Sequence, residues 1–158
     1  MKKIREKKHR LKNEDYIGKK IVSFTSCINR REKLFINDNI FFEFSEKLIE
    51  SIIKFNCEAN IYLFMPDHVH LIIQGNNFDS DVKKSIDLFK QKTGFWFGQN
   101  MNYSRWQKDY YDHIIRNSED LNSHIYYILN NPVKAGLVDD WKNYKYIGST
   151  IYNFDEWE

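Results

Sequence analysis

The stretch Met65-Pro66-Asp67-His68-Val69-His70-Leu71-Ile72-Ile73-Gln74 constrains the fold of this chain more than any other. A Pro-Asp turn pair leads into alternating, β-favouring residues, so His68 to Gln74 reads as a strand. Side chains two apart on a strand share a face. Val69, Leu71 and Ile73 therefore make an apolar, core-facing row, and His68 and His70 project together from the other side. Two neighbouring imidazoles suit a shared cation or a phosphate, although a lone H-x-H is more often a polar pair at the rim of a core. Cys57 to Met65 is apolar and β-favouring as well, and the short Pro66-Asp67 connection makes it the hairpin partner of the histidine strand.

The remaining pattern fixes the architecture. Lys20 to Ile28 reads as a first strand. Asn37 or Asp38 caps a helix whose apolar positions Ile40, Phe41, Phe44, Leu48 and Ile52 recur at three and four, ending near Phe55-Asn56. Asp79 or Ser80 opens a second helix that runs to about Thr93-Gly94, with Gly98-Gln99-Asn100 as loop. Trp106 to Ile115 reads as a fourth strand. A third helix starts near Ser118, with Glu119 and Asp120 in its first turn where acids suit the dipole, and Pro132 ends it. The order βαββαβ plus one helix predicts an α+β, ferredoxin-like antiparallel sheet with two helices on one face. The histidine strand is then central, its imidazoles face away from the two helices, and the additional C-terminal helix is the element available to cover them. The aromatic tail from Trp141 to Tyr152 is expected to pack on the body, and Phe95, Trp96 and Trp106 are expected in the core.

A length of 158 residues fits one domain. We divide the chain into a basic N-terminal arm, residues 1–19, and a single domain, residues 20–158. The net charge of +2 hides an asymmetry: residues 1–20 carry nine Lys or Arg against three acids, so this segment is +6 and the remainder −4. Such an arm either solvates itself or neutralises phosphates, and Lys2, Lys3, Arg5, Lys7, Lys8 and Arg10 are its candidate DNA contacts, with Lys90 and Arg116 beyond it. No apolar run has the length needed to span a bilayer and the N-terminus is charged, so a cytoplasmic protein without a membrane partner is expected. Cys27 and Cys57 fit buried thiols better than a disulfide framework.

On the third helix, Leu121, Ile125, Ile128 and Leu129 form one stripe, while His124, Tyr127 and Asn131 fall on a different flank. The sequence Tyr127-Ile128-Leu129-Asn130-Asn131-Pro132-Val133-Lys134-Ala135-Gly136-Leu137-Val138, preceded by Tyr111-Asp112-His113-Ile114-Ile115-Arg116 and combined with His68-Val69-His70, resembles the single-tyrosine transposases of the HUH superfamily, in particular the REP-associated branch. Relatives often carry a histidine where this chain has Leu129. The resemblance implies a transposase that cleaves and rejoins single-stranded or hairpin DNA through a 5′-phosphotyrosine intermediate. It implies Tyr127 as nucleophile, and His68, His70 and Asn131 as ligands of Mg²⁺ or Mn²⁺. It leaves open a monomer or a homodimer, and whether His113, His124 or Asp67 assist. The chemistry agrees: a phosphodiester is anionic, a divalent cation on its oxygens withdraws charge, and a phosphotyrosine bond conserves the energy of the broken link. The alternative is a non-catalytic, nucleic-acid-binding ferredoxin-like module reading bases on an open sheet face. That module would be expected to expose aromatics where this chain has His68 and His70.

Overall fold

The computed structural model describes residues 11–101 and 104–158. Its strands are β1 (Ile21–Cys27), β2 (Cys57–Met65), β3 (His68–Gly75), β4 (Tyr111–Ile115) and β5 (Ile147–Gly148), and its α-helices are α1 (Asp38–Lys54), α2 (Val82–Asn100), α3 (Ser118–Leu129) and α4 (Asn131–Lys134). All strand pairs are antiparallel in the order β4-β1-β3-β2-β5, which is the expected α+β sheet with a fifth strand added beside β2. Lys2, Lys3, Arg5, Lys7, Lys8 and Arg10 lie outside the described residues. Nearer the sheet, Tyr16 is buried, and its hydroxyl donates to the Asp112 carboxylate of β4.

Local chemistry explains the helix ends. The Asn37 side chain accepts from the Ile40 amide at 3.0 Å and so caps α1, and Asn56 terminates it in the left-handed region at φ 56°. Phe41, Phe44, Leu48 and Ile52 of α1 join Val82, Ile86, Phe89 and Phe97 of α2 over one face of the sheet, where they meet Val22, Phe24, Val69, Leu71 and Ile73. Asp81 caps α2 through the Lys84 amide. This helix continues past the expected Thr93-Gly94 end to Asn100, because buried Phe97 extends its apolar face by one more turn.

Strand β4 is shorter than the expected span from Trp106. Residue 106 makes only an isolated bridge with Ile28; its indole N–H donates to Thr93 Oγ1 at 2.7 Å and its ring packs among Phe35, Phe44, Phe89 and Phe97. Trp96 also packs against this core, whereas Phe95 is 69% exposed.

The second face of the sheet carries the histidines. A register shift between Ala59 and Ile61 leaves Asn60 as the extra residue of a bulge, held through its amide N–H₂ to Gln74 Oε1. The bulge turns Ile61, Leu63 and Met65 onto the same side as Ile72, where Leu121, Ile125, Ile128 and Leu129 of α3 cover them. Trp141, Tyr144, Ile147, Tyr152, Phe154 and Trp157 of the tail pack against this second cluster. Tyr111 of β4 remains 49% exposed. No helix among the described residues is long and apolar enough to cross a membrane.

Candidate functional site

His68 and His70 stand side by side on the covered face of β3, with Cα partners Cys27 and Thr25 on β1 and Met65 and Leu63 on β2. Their Nε2 atoms are 3.1 Å apart. Each Nδ1 is engaged separately: that of His68 lies 2.6 Å from Asp67 Oδ1, and that of His70 lies 3.1 Å from Thr25 Oγ1. Because a carboxylate only accepts, His68 donates from Nδ1 and its Nε2 is a bare lone pair. When His70 donates from Nδ1 to the threonine hydroxyl, its Nε2 is bare as well.

Two neutral nitrogen donors then converge on one point. Donors about 2.1 Å from one ion at a right angle are about 3.0 Å apart, so the pair fits two adjacent corners of an octahedral Mg²⁺ or Mn²⁺. Burial keeps both imidazoles neutral. It pushes His70 down to about 3, helped by the repulsion that a protonated His68 would exert and by the nearby Arg31 charge, and it lowers His68 against the opposing pull of Asp67.

Asp67 is itself held in place. Its Oδ2 accepts from Arg31 Nε at 2.9 Å. Burial pushes its carboxyl up, but the hydrogen bonds from His68 and Arg31 outweigh this and hold it below the usual range. Arg30 and Arg31 both adopt left-handed backbone, φ 59° and 55°. That conformation is costly for non-glycine residues, and here it aims the Arg31 guanidinium at the carboxylate. The Pro66 and Asp67 carbonyls accept the Leu34, Phe35 and Ile28 amides, which fixes the turn before the histidine strand.

Tyr127 lies outside the buried stripe of α3 and is 59% exposed. The ammonium of Lys134, from α4, stands 4.4 Å from the centre of its ring. Tyr127 and His70 line one cavity of about 460 Å³, together with Ser23, Thr25, Tyr111, His113, His124 and Ile128. The fold thus places the phenol of α3 and the His70 imidazole of β3 on the walls of one cavity within a single chain.

Asn131 is less fully integrated. Helix α3 stops at Leu129 and Asn131 opens the separate α4, whose first turn tolerates Pro132 because the amide lost there has no intrahelical acceptor. The Asn131 side chain does not line this cavity, and its buried Nδ2 has no hydrogen-bond partner. A buried amide without a partner is uncommon, but an N–H₂ group donates, so this orphan is not a metal-ligating atom; a cation would have to be held by Oδ1 of the same side chain. Leu129 is fully buried under the sheet, away from this cavity.

Of the other candidate residues, Arg116 is exposed just beyond β4. Lys90 lies on α2, across the sheet from the histidines, with its ammonium 4.6 Å from the Tyr110 ring and 5.9 Å from that of Trp106. In the sequence, His113 and His124 stand out only as possible auxiliary groups. Their shared place in the cavity follows from β4 lying next to β1, a pairing with no local sequence signature.

The family model described as "Transposase IS200 like" matches residues 18–131. A Haemophilus influenzae protein provisionally described as a REP-associated tyrosine transposase is 30% identical over 136 residues, covering 78% of this chain and 76% of its own. The REP-associated tyrosine transposase of Escherichia coli K12 is 34% identical over 88 residues, 53% of this chain and 51% of its own. Among solved structures, a REP-associated tyrosine transposase bound to a REP hairpin superposes with a TM-score of 0.75 at 25% identity, covering 89% of this chain and 81% of that one.

Proposed function

This chain belongs to the IS200-like family of transposases, and from that premise we propose that it is a metal-dependent single-stranded DNA transesterase working through a 5′-phosphotyrosine intermediate on Tyr127. The observation that carries the reading is the cavity shared by Tyr127 and His70, with His68 joined to His70 at 3.1 Å. A hairpin-bound relative of the same fold supports hairpin DNA as the partner.

In this reading His68 and His70 would hold Mg²⁺ or Mn²⁺ through Nε2, and Oδ1 of Asn131, whose side chain does not line the cavity, would have to turn in to complete the set. The ion, when bound, neutralises charge on the scissile phosphate and orients it. The protein does the rest. Asp67 and Thr25 fix the two ring orientations, and the wall made by Ile128 excludes water from one side. Tyr127 attacks phosphorus, its Oη–P bond forms, and the P–O3′ bond breaks. Lys134 places a positive charge beside the ring on which negative charge develops. The basic arm, residues 1–19, supplies phosphate contacts. Because both halves of the cavity come from one chain, the geometry supports a site assembled within one subunit.

The test is covalent capture. Wild-type protein with hairpin DNA and Mn²⁺ is expected to form a protein–DNA adduct that survives denaturation, and Tyr127→Phe is expected to form none while still binding the hairpin. An adduct of undiminished yield in Tyr127→Phe would remove Tyr127 from the role. His68→Ala combined with His70→Ala is expected to abolish the adduct, and unchanged yield would overturn the metal assignment.

A further inference from the structure

Two histidines that this reaction leaves unused stand beside the nucleophile. His124 precedes Tyr127 by three residues on α3, a spacing that puts both side chains on one flank one turn apart. His113 comes from β4. The two imidazoles meet edge to face with centroids 5.3 Å apart, and both line the cavity that holds Tyr127 and His70. Nδ1 of His124 is buried and has no hydrogen-bond partner.

A neutral imidazole carries one N–H donor and one bare acceptor nitrogen. Orphaned buried donors are rarer than under-satisfied acceptors, so the proton belongs on Nε2 and Nδ1 is a free lone pair. Burial, with a smaller contribution from His113, holds His124 below the ordinary histidine range against the opposing Asp120 carboxylate. It is therefore unprotonated at neutral pH, the state a proton acceptor needs. The titratable groups around it are Asp120 and Tyr127 on its own helix, His113 and Tyr111 on β4, and His70 on β3; Ser23 and Thr25 of β1 are neutral.

We propose that His124 is the general base that takes the Tyr127 hydroxyl proton, with His113 a positioning residue that holds its ring from β4. This rests on Tyr127 being the nucleophile. In cleavage, the proton on Tyr127 Oη passes to His124 as the Oη–P bond forms, the P–O3′ bond breaks, and the departing 3′ oxygen takes a proton from water. In joining, an incoming 3′ hydroxyl loses its proton to water and attacks phosphorus, and His124 returns its proton to the departing Tyr127 oxygen. One side chain thus serves both directions, and no external cofactor enters the proton balance.

The test compares wild type, His124→Ala, His124→Gln and His113→Ala in single-turnover adduct formation. The probe is a pool of hairpin DNAs with randomised single-stranded flanks, with Mn²⁺, from mildly acid to mildly alkaline pH. The wild-type rate is expected to climb on the acid side of the ordinary histidine range and to level off by neutral pH. His124→Ala is expected to be slower by about 10²–10⁴-fold, to lose that climb, and to regain rate with added imidazole. His124→Gln, which preserves volume, is expected to be as slow with an unchanged melting curve. His113→Ala is expected to shift the climb rather than remove it.

A His124→Ala rate equal to wild type would overturn the proposal, as would a slowed rate with an unaltered pH profile and no imidazole rescue. A wild-type protein that forms no adduct would instead overturn the Tyr127 reading. A DNA-free measurement separates the two cases. NMR titration of the His124 ring is expected to move its midpoint in Tyr127→Phe, and an unmoved midpoint would overturn the proton link by itself.

Discussion

Asp67 Oδ1 stands 2.6 Å from His68 Nδ1, while the other oxygen of the same carboxylate accepts from Arg31. The carboxylate therefore sets both the tautomer and the ring plane of His68, and it raises the basicity of the opposite nitrogen. Groups in this position typically contribute a factor of about 10–100 to metal affinity. Asp67→Ala is expected to weaken Mn²⁺ binding by about that factor, measured by calorimetry on the whole chain, with hairpin affinity little changed. Asp67→Asn keeps an acceptor oxygen and is expected to lose less. Equal Mn²⁺ affinity in Asp67→Ala and wild type would mean that the carboxylate serves only the turn.

The buried imidazoles also set an acid limit on stability. His70 is pushed down to about 3, whereas an unfolded histidine titrates near 6.5. Protons therefore bind the unfolded chain first, and stability is complete above about pH 6.5 and lost progressively as pH falls towards 3. His68 and His124 are shifted in the same direction and add to the loss. Asp67, whose carboxyl is lowered in the fold, contributes only below its ordinary 3.8. Melting curves in chelator are expected to fall steadily from neutral pH to about pH 4, and His70→Gln is expected to flatten that fall. A wild-type melting temperature that is constant over this range would contradict the burial of His70.

Much of this site is legible in the residues themselves. The alternation around His68 and His70 gives their common face, and the stripe Leu121, Ile125, Ile128 and Leu129 places Tyr127 off the core. What escapes local reading is set by distant partners. Asn60 becomes a bulge only because β3 continues past it in a new register. Residues Ile147 and Gly148 are too few to show a strand period, and they pair because Tyr62 and Leu63 offer an edge. Gly98 resembles a loop signal, yet Phe97 buried beside it carries the helix onward. His113 and His124, eleven residues apart, meet only because β4 reaches the sheet edge under α3.

Lys134 offers a test of the electrostatics at the nucleophile. Its ammonium lies 4.4 Å from the Tyr127 ring centre, and Tyr127 is 59% exposed, so the contact is partly screened. A cation over an aromatic ring in such an exposed setting contributes about 0.5–1 kcal/mol, or roughly 2- to 5-fold in rate when it acts on the transition state. Lys134→Met is expected to slow adduct formation within that range, and Lys134→Arg to retain most of the rate. Quench-flow measurement of the adduct gives the answer. A Lys134→Met protein with full rate but weakened hairpin affinity would assign the lysine to DNA contact alone.

Two glycines separate a packed backbone from a free one. At Gly75, which ends the histidine strand, an added Cβ would stand 2.0 Å from the Gly18 carbonyl oxygen and 2.7 Å from Ser80 Cβ. The Gly18 oxygen is backbone and cannot swing aside, so the β3 end must shift. Gly75→Ala is expected to destabilise the chain by about 1–3 kcal/mol or more and to loosen the β1–β3 register that sets His70 against Thr25. At Gly94, on the exposed surface of α2, an added Cβ would meet nothing within 4 Å, and alanine is the better helix former by about 0.5–1 kcal/mol. Gly94→Ala is therefore expected to stabilise by that amount. Urea unfolding of the two variants checks both signs at once; a Gly75→Ala midpoint equal to wild type would show that the Gly18 and Ser80 segment yields freely, and would remove the anchoring of β3 with it.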